Sequence, residues 1–298
     1  MASATGKQTA KNRQRADRPR IWTQNVQGLV REDKLFELFH AVKDRNAYAV
    51  CIQETWREGN GCEQLQQGDQ VGIFAAGKVK TGKGRGRRGV GIILSKAANE
   101  ALGRATLKGK AIHDDLGDRV LAVRLIMENE RGEEQGIFLV SAYAPNGDSL
   151  SSQEDWGAFY SSLGACLDRQ KKGDMLILGV DANASMGLDR KVCGSHGNPR
   201  ARPAGVKFAE YLRQRQLAST AGFFRGKKSY DTWHLPGSNR RAAEAGYQID
   251  HIITEQQDVK CVTNCAIKSQ LVDSDHRPLC CRNSYFEIER QPEETQEK

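Results

Sequence analysis

The stretch LILGVDANASMG, from Leu176 to Gly187, joins an apolar segment to two polar side chains. The residues from Leu176 to Val180 include no polar side chain, which is typical of a strand covered on both faces. Asp181 and Asn183 follow at once, in the place where open α/β sheets bind their ligands. The pattern predicts either a functional site just past the strand or an Asx turn, in which both side chains bond only their own backbone.

The same pattern recurs along the chain, because other predicted strands also end or begin at polar side chains. Strands are predicted over 21–27, 48–53, 136–143, 247–254 and 261–268, and a last strand follows residue 278. One polar residue at a strand end means little, but six such positions predict side chains that share one cleft. The six positions are Asn25, Glu54, Tyr143, Asp181 with Asn183, Asp250, and Asp275 with His276.

Helices are predicted between several of these strands, which indicates an α/β fold. Apolar residues repeat at helical spacing over 33–44 and 156–167, and Pro203 is placed to start a shorter helix. No shift in composition divides the chain, and 298 residues lie near the upper limit for one hydrophobic core. We therefore expect one domain over 21–286, flanked by a disordered basic arm over 1–20 and an acidic tail over 287–298.

The charge of the chain favours a polyanionic partner such as nucleic acid. The sequence has 45 Lys and Arg residues against 37 Asp and Glu residues, a net charge of +8. The basic arm is expected to contact nucleic acid, to act as a nuclear address, or to be merely solvated. The sequence has no secretory signal and no run of membrane-spanning length, so we expect an intracellular, nuclear protein with no membrane partner.

A second cluster of cations lies in KVKTGKGRGRRG, from Lys78 to Gly89. It contains the spacing GxGxxG, but the apolar residues that follow predict a strand, whereas a dinucleotide-binding loop precedes a helix. The stretch is therefore interpreted as a flexible loop that tracks DNA phosphates, with a solvated hairpin tip as the alternative. The residues expected to contact phosphate are Lys83, Arg85, Arg87 and Arg88.

The cysteines are predicted to be reduced and buried. The sequence has eight, and Cys51, for example, lies within a strand pattern. Cys193 with His196, and Cys261 with Cys265, leave a zinc site open as an alternative. Neither spacing gives the two paired clusters of a zinc finger, so buried thiols are favoured.

Six short motifs hold the polar residues described above, and their order along the chain is distinctive. They read QNVQGL, IQETW, AYAPN, GVDANA, IDHI and SDHRPL. In this order they resemble the endonuclease/exonuclease/phosphatase superfamily, which includes abasic-site endonucleases, pancreatic-type deoxyribonucleases and the endonuclease domains of non-LTR retrotransposons. The resemblance covers roughly residues 20–286 and implies a four-layered α/β sandwich, in which two mixed sheets pack face to face beneath outer helices.

The resemblance also implies a magnesium site, in which manganese can substitute. Glu54 matches the principal metal-binding carboxylate, Asn25 lies beside it, and Asp275 lies near the metal. Magnesium prefers hard oxygen ligands and keeps several waters, so one or two carboxylates suffice. Abasic-site repair enzymes carry an aspartate where this chain has Gln27, and a neutral amide binds magnesium more weakly. The metal site is therefore expected to differ from the repair type.

The remaining motif residues match catalytic and substrate-binding positions of the superfamily. Asp181 matches the residue that orients and deprotonates the attacking water, with Asn183 as its partner. His276 matches the histidine that contacts the scissile phosphate, and Asp250 holds it. The positions that match contacts to phosphate or substrate are Tyr143, Thr232 and Trp233.

These features predict a magnesium-dependent DNA endonuclease of the retrotransposon type, which nicks one strand and leaves a 3′ hydroxyl and a 5′ phosphate. Its expected partners are DNA and a reverse transcriptase supplied by another domain or chain. Two alternatives stay open. One is a cellular abasic-site endonuclease or other phosphodiesterase of the superfamily, and the other is a nucleic-acid-binding module without catalysis.

Overall fold

The computed structural model describes residues 18–58, 61–77, 88–107, 117–128, 133–147, 150–225, 230–234 and 246–284. Three regions with predicted roles fall outside this part of the chain. They are the basic arm up to residue 17, the part of the basic loop with Lys83, Arg85 and Arg87, and the acidic tail over 287–298.

Helices lie between groups of strands in the described part of the chain, as predicted for an α/β fold. In chain order the described strands are β1 (Arg20–Asn25), β2 (Ala49–Gln53), β3 (Cys62–Gln67), β4 (Gln70–Ala75), β5 (Val90–Leu94), β6 (Val120–Glu128), β7 (Glu134–Tyr143), β8 (Met175–Asp181), β9 (Leu217–Ser219), β10 (Trp233–His234), β11 (Gly246–Tyr247), β12 (Asp250–Glu255), β13 (Val262–Ile267) and β14 (Leu279–Asn283). The described helices are α1 (Glu32–Asp44), α2 (Lys96–Leu107), α3 (Leu150–Leu167) and α4 (Pro203–Gln214). None of these helices is long and apolar enough to cross a membrane.

The strands form two mixed sheets and a short hairpin. The first sheet has the order β13-β14-β1-β2-β5-β4-β3, and the second has the order β6-β7-β8-β12-β9. Strands β1 and β2 run parallel, as do β7 and β8, while the other pairs are antiparallel. Strand β14 lies between β1 and β13, so the first sheet joins the two ends of the described chain. The hairpin consists of β10 and β11.

The two sheets pack face to face, and helices cover their outer faces. Ile92 of the first sheet and Ile177 of the second belong to the hydrophobic core between the sheets. Helix α1 covers the first sheet through Leu38 and its neighbours, while α3 and α4 cover the second sheet through Phe159 and Phe208. The predicted four-layered α/β sandwich is therefore confirmed.

One strand that the sequence predicts as continuous, over 247–254, is interrupted. Tyr247 ends the β10–β11 hairpin, and β12 begins only at Asp250. The backbone N–H groups of Ile249 and Asp250 both donate to the Thr232 hydroxyl rather than to a neighbouring strand. The spacing of apolar residues cannot predict an interruption that a side chain distant in sequence causes.

The apolar pattern does not indicate α2 or the β3–β4 hairpin either. Strand β3 is an edge strand whose residues are exposed or half-buried, so the usual alternation of apolar and polar residues is missing. Helix α2 buries small residues such as Ala98, Ala101 and Ala105, which give a weak apolar stripe. The strand predicted over 261–268 begins only at Val262, because a 3₁₀ turn occupies Gln256–Cys261.

The two sheets approach each other closely at Gly179, in β8. A Cβ atom there would lie 2.5 Å from the Cβ of Cys51 and 3.0 Å from the Cβ of Thr23, both in the first sheet. We predict that Gly179→Ala destabilises the fold by about 1–3 kcal/mol, because a Cβ atom cannot rotate out of the way. Gly157→Ala is the control, since a Cβ in that part of α3 would meet nothing within 4 Å. Equal urea midpoints for both variants would contradict the close packing.

The cysteines are free, as predicted. All eight are free thiols, and six of them are buried. Burial raises the pKa of Cys51 and Cys166 to about 12, so both thiols stay protonated. Within the described ranges, the group of side chains able to hold a metal ion contains no cysteine, so nothing there supports a zinc site.

Candidate active site

Strand pairing in the second sheet brings three of the predicted residues side by side. Asp181, the last residue of β8, lies opposite Tyr143 at the end of β7 and opposite Asp250 at the start of β12. Since β8 runs between β7 and β12, the Asp181 carboxylate has the Tyr143 phenol on one side and the Asp250 carboxylate on the other. Their proximity follows from the register of the sheet.

Asn25 connects this row to the first sheet. It ends β1, and its Nδ2 donates to Asp181 Oδ2 (2.9 Å) and to Glu54 Oε1 (3.0 Å). Glu54 directly follows β2, which runs parallel to β1. Asn25 and Asp181 are both fully buried. A single amide therefore joins the carboxylates that the two sheets contribute, and predicted residues from both sheets form one cluster.

The Glu54 carboxylate accepts three hydrogen bonds. Besides Asn25, the Tyr143 hydroxyl donates to Oε1 (2.7 Å) and Trp56 Nε1 donates to Oε2 (3.2 Å). Glu54 and Trp56 have φ values of 54° and 53°, so the chain turns sharply after β2. The Trp56 ring lies over Gly28, where any side chain would clash with it. Trp56 is therefore a site residue that the motif comparison overlooks, although it stands in IQETW.

Tyr143 is oriented by Arg119. The Arg119 guanidinium lies 5.3 Å from the centre of the phenol ring and donates to the Tyr143 carbonyl (3.0 Å). Burial, and then the carboxylates of Glu54 and Asp181, raise the pKa of Tyr143 far above its ordinary value. The phenol therefore stays protonated and acts as a hydrogen-bond donor.

Asp181 and Asn183 form an Asx turn and part of the site at the same time. The Asn183 N–H donates to Asp181 Oδ1 (2.9 Å), while Oδ2 faces Asn25. Asn183 has a φ of 48°, and its Nδ2 donates to the Ala144 carbonyl (2.8 Å). The turn fixes the carboxylate and directs Oδ2 into the cluster. The two interpretations of LILGVDANASMG are therefore compatible.

His276 lies beside Asp181 and is held by Asp250. Its Nδ1 is 2.9 Å and 3.1 Å from the two Asp250 oxygens, and its Nε2 is 4.0 Å from Asp181 Oδ2. Burial by itself lowers the pKa of His276, but the carboxylates of Asp250 and Asp181 outweigh burial and raise it. The carboxylates around it therefore favour the protonated imidazole, in which Nδ1 faces Asp250 and Nε2 lies near both Asp275 (3.6 Å) and Asp181 (4.0 Å).

Ser274 is a second site residue that the sequence comparison overlooks. Its hydroxyl donates to the Asn25 carbonyl (2.7 Å) and accepts the backbone N–H of His276 (3.2 Å). These bonds attach the loop before β14 to the end of β1. Its position in the motif SDHRPL is the signal that could have identified it.

The same loop places Asp275 next to His276. Asp275 Oδ2 accepts a hydrogen bond from Trp233 Nε1 (3.1 Å), and the Asp275 N–H donates to Gln27 Oε1 (3.3 Å). Asp275 Oδ1 lies 3.6 Å from His276 Nε2 and has no hydrogen-bond partner among the described residues, although it is buried. Gln27, the position that departs from the repair enzymes, thus supports the loop that carries Asp275.

Thr232 does not face the cleft as a phosphate contact would. It is fully buried, and its hydroxyl accepts the N–H groups of Ile249 and Asp250 at 3.0 Å each. These bonds fix the start of β12 and with it the Asp250 carboxylate. Thr232 therefore positions Asp250, whereas the half-buried Trp233 remains a candidate for substrate contact.

Arg88 is the one expected phosphate contact of the basic loop that lies in the described ranges. Its guanidinium lies 3.5 Å from Asp118 and 3.7 Å from Asp155. These carboxylates offset part of its charge. A DNA phosphate at Arg88 would therefore compete with two acidic side chains.

Several solved nuclease structures align with nearly the whole chain. The AP endonuclease LMAP from Leishmania major aligns over 90% of this chain and 88% of its own, with a TM-score of 0.65 and 15% identity. The 3′ phosphatase NExo from Neisseria, bound to a product DNA hairpin, aligns over 89% and 99%, with a TM-score of 0.58 and 17% identity. The endonuclease domain of TRAS1, a telomere-specific non-LTR retrotransposon, aligns over 89% and 98%, with a TM-score of 0.55 and 17% identity. No protein-family model and no curated protein matches the sequence.

These alignments extend through both sheets and their covering helices. The chain has the endonuclease/exonuclease/phosphatase fold. The structural alignments agree with the six motifs, whose residues the endonuclease/exonuclease/phosphatase fold gathers at one end of the sandwich. The expected resemblance is therefore confirmed at the level of the fold.

The donor atoms present fit the magnesium ion that the endonuclease/exonuclease/phosphatase fold implies. Asp275 Oδ1 is buried and has no hydrogen bond among the described residues; His276 Nε2 approaches it only to 3.6 Å, so this oxygen has room for a further partner such as a cation. Glu54 offers a second carboxylate. Asn25 lies beside it with its Nδ2 donating to Glu54 Oε1, while its Oδ1 accepts the Gln27 N–H (3.1 Å). The two carboxylates supply hard oxygen ligands of the kind that magnesium prefers. Glu54 and Asp275 are therefore the residues that would hold it, and Asn25 orients Glu54.

A second group able to hold a metal consists of Asp181, Asp250 and His276, whose ligand atoms lie within 4.8 Å of one another. A metal at this group would require a neutral imidazole with a lone pair facing the ion. His276 Nδ1 instead lies against the Asp250 carboxylate at 2.9 Å, so these two groups face each other. This contact is compatible with acid–base chemistry at the triad, with Glu54 and Asp275 as the carboxylates for a metal.

Proposed function

We propose that this protein is a magnesium-dependent DNA endonuclease that nicks one strand and leaves a 3′ hydroxyl and a 5′ phosphate. One observation carries the proposal: Asp181 Oδ2 accepts a hydrogen bond from Asn25 and lies 4.0 Å from His276 Nε2. A carboxylate that can accept a proton thus stands beside an imidazolium that can bind an anion. Phosphodiester hydrolysis needs both groups.

The roles of the side chains follow from their protonation states. Asp181 accepts the proton of the attacking water. Protonated His276, held by Asp250, donates its Nε2–H to a non-bridging oxygen of the phosphate and stabilises the developing charge. The Tyr143 hydroxyl, which donates to Glu54 in the free protein, would transfer its hydrogen bond to the departing oxygen once the strand is bound. Magnesium, when bound, supplies further positive charge to the phosphate oxygens.

DNA is the substrate that the charge and the comparisons favour. The net charge of +8 attracts a polyanion. NExo, with 17% identity, has been solved with a product DNA hairpin. The basic arm up to residue 17 and the loop residues Lys83, Arg85 and Arg87, which all lie outside the described residues, are proposed to add phosphate contacts. A nuclear location follows from the same proposal.

Within this class, we favour a nuclease of the retrotransposon type. Two observations support it: the alignment with 98% of the TRAS1 endonuclease domain, and the neutral Gln27 where repair enzymes carry an aspartate. The nick would then expose a 3′ hydroxyl for a reverse transcriptase supplied by another domain or chain. Abasic-site cleavage is the second candidate, because LMAP, an AP endonuclease, aligns with a TM-score of 0.65.

Supercoiled plasmid provides the test of nuclease activity. The full chain should convert it to the open-circular form in the presence of magnesium and not in the presence of EDTA. The nick should support primer extension by a DNA polymerase without prior treatment, because its 3′ end is a hydroxyl. A folded protein that leaves the plasmid intact would refute the proposal and favour a binding module.

A duplex with a single abasic site separates the two candidates. A nuclease of the retrotransposon type should cut this duplex and an intact duplex at similar rates. Strong preference for the abasic site would instead favour the repair activity.

The rate of nicking is expected to rise with pH. The rise should occur at a higher pH than the ordinary pKa of a carboxyl group would give. Burial first, and then the neighbouring Asp250, raise the pKa of Asp181 from its ordinary value of 3.8. The base is therefore protonated and inactive at acidic pH, and activity appears as the pH passes through its raised pKa. At alkaline pH, His276 loses its proton and activity falls again. A pH–rate profile without an acidic limb between pH 4 and neutrality would contradict this assignment.

A further inference from the structure

A short segment beyond β8, from Asn198 to Arg202, carries two arginines onto the aromatic ring of Tyr247. The Cζ atoms of Arg202 and Arg200 lie 4.3 Å and 5.6 Å from the centre of that ring. Arg202 is exposed, and Tyr247 is half-buried. Arg202 also hydrogen-bonds the Tyr247 side chain, and Arg200 Nη1 donates to the Gly246 carbonyl, so the stacked Arg202 guanidinium offers its remaining N–H groups to other partners.

The backbone of this segment is fixed on both sides. On one side, the Arg202 N–H donates to the Ser185 carbonyl (2.9 Å) and the Ser185 hydroxyl donates to the Arg200 carbonyl (2.7 Å). On the other side, Asn198 Oδ1 accepts the Arg200 N–H (2.9 Å), and Arg200 Nη1 donates to the Gly246 carbonyl (2.8 Å). The arginines are thus ordered before any ligand arrives, which lowers the entropic cost of binding.

The arginines also lie next to the active site. Tyr247 pairs with Trp233 in the β10–β11 hairpin, and their ring centres are 6.2 Å apart. Trp233 forms a β-bridge with His276 and donates its indole N–H to Asp275. Contacts through Trp233 and Tyr247 therefore connect His276 to Arg202.

We propose that Arg202 and Arg200, supported by the Tyr247 ring, bind a backbone phosphate of the DNA strand next to the scissile phosphate. The proposal rests on the nuclease function above and assigns a second anion-binding position to it. Phosphates follow one another at a rise of about 3.4 Å along a strand, so a strand held at His276 presents further phosphates to this rim. The planar fork of an arginine matches two oxygens of one phosphate.

Arg202→Gln tests this position in the full chain. The variant should raise the KM for plasmid nicking about five- to tenfold and leave kcat within about twofold, because Arg202 holds the flanking strand and does not touch the reacting atoms. The slope of log binding constant against log salt concentration, measured with a short duplex in EDTA, should fall by about one.

Lys172→Gln is the matched control. Lys172 is an exposed cation that precedes β8 at the edge opposite Asp181, so its loss should change neither KM nor the salt slope. If Arg202→Gln behaves as this control does while the wild type nicks DNA, the second phosphate position is refuted and the nuclease function stands.

Binding in EDTA keeps the two proposals separable. If the wild type does not nick DNA but Arg202→Gln weakens duplex binding, the nuclease function is refuted and the phosphate contact is supported. If the Gln variant unfolds at a lower temperature than the wild type, Arg202→Lys replaces it. Lys keeps the charge and loses the fork, so unchanged duplex affinity would overturn the two-oxygen contact.

Discussion

Asp181→Asn is expected to slow the nicking of plasmid DNA by about 10²–10⁴-fold, which is the range for removal of a general base. The amide has the shape of the carboxylate, so Asn183 can still donate its N–H to the side-chain oxygen. It cannot accept the proton of the attacking water. The rate of nicking at saturating DNA measures the effect, and KM should change little because a different set of groups binds the strand.

Asp168→Asn is the control for this variant. Asp168 follows α3 at the end of the sandwich opposite Asp181, where it pairs with Arg215. The same change of chemistry at that position should leave the rate unaltered. Residual nicking by Asp181→Asn within about tenfold of the wild type would mean that another group accepts the proton.

Glu54→Gln is expected to reduce nicking by about 10²–10⁴-fold at a fixed magnesium concentration, because a bound metal contributes several kcal/mol to such a reaction. The Glu54 carboxylate accepts hydrogen bonds from Asn25, Tyr143 and Trp56, so it is held in place before a metal binds. The glutamine loses the negative charge that attracts the ion. Part of the activity should return at high magnesium concentration.

A second readout for Glu54→Gln does not depend on activity. A metal that binds the folded state raises the temperature of unfolding, so magnesium should stabilise the wild type more than the variant. Glu63→Gln is the control, because Glu63 lies on edge strand β3 and pairs with Arg57. Equal stabilisation of Glu54→Gln and the wild type would remove Glu54 from the metal site.

The sequence was sufficient to predict the residues that stand at strand ends. Asp181, Tyr143 and Asp250 each follow or begin an apolar strand, and a sheet in register places such residues in one row. The four layers could be predicted only through the resemblance of the motifs, because apolar patterns do not specify how two sheets pack. The link that Asn25 makes to Asp181 depends on that packing.

What the sequence did not reveal lies mostly in loops. Trp56 and Ser274 lie in turns that distant residues hold in place. The Trp56 N–H donates to the Arg88 carbonyl (2.9 Å), and the Ser274 hydroxyl donates to the Asn25 carbonyl (2.7 Å). Thr232 looks like a substrate contact in the motif, yet the interrupted strand after Tyr247 turns its hydroxyl inwards. Arg202 lies in a stretch rich in Gly, Pro and Arg, and such compositions give no prediction of which cation meets an aromatic ring.

The place of β14 between β1 and β13 has a consequence for how the protein is made. During translation β1 leaves the ribosome early, whereas β14, which pairs with it on one side, is almost the last described segment to leave. The loop with Ser274, Asp275 and His276 arrives just ahead of that strand. A nascent chain therefore contains Glu54, Asp181 and Asp250 well before it contains a working site. Under the proposed function, activity would therefore begin only once the closing strand is in place.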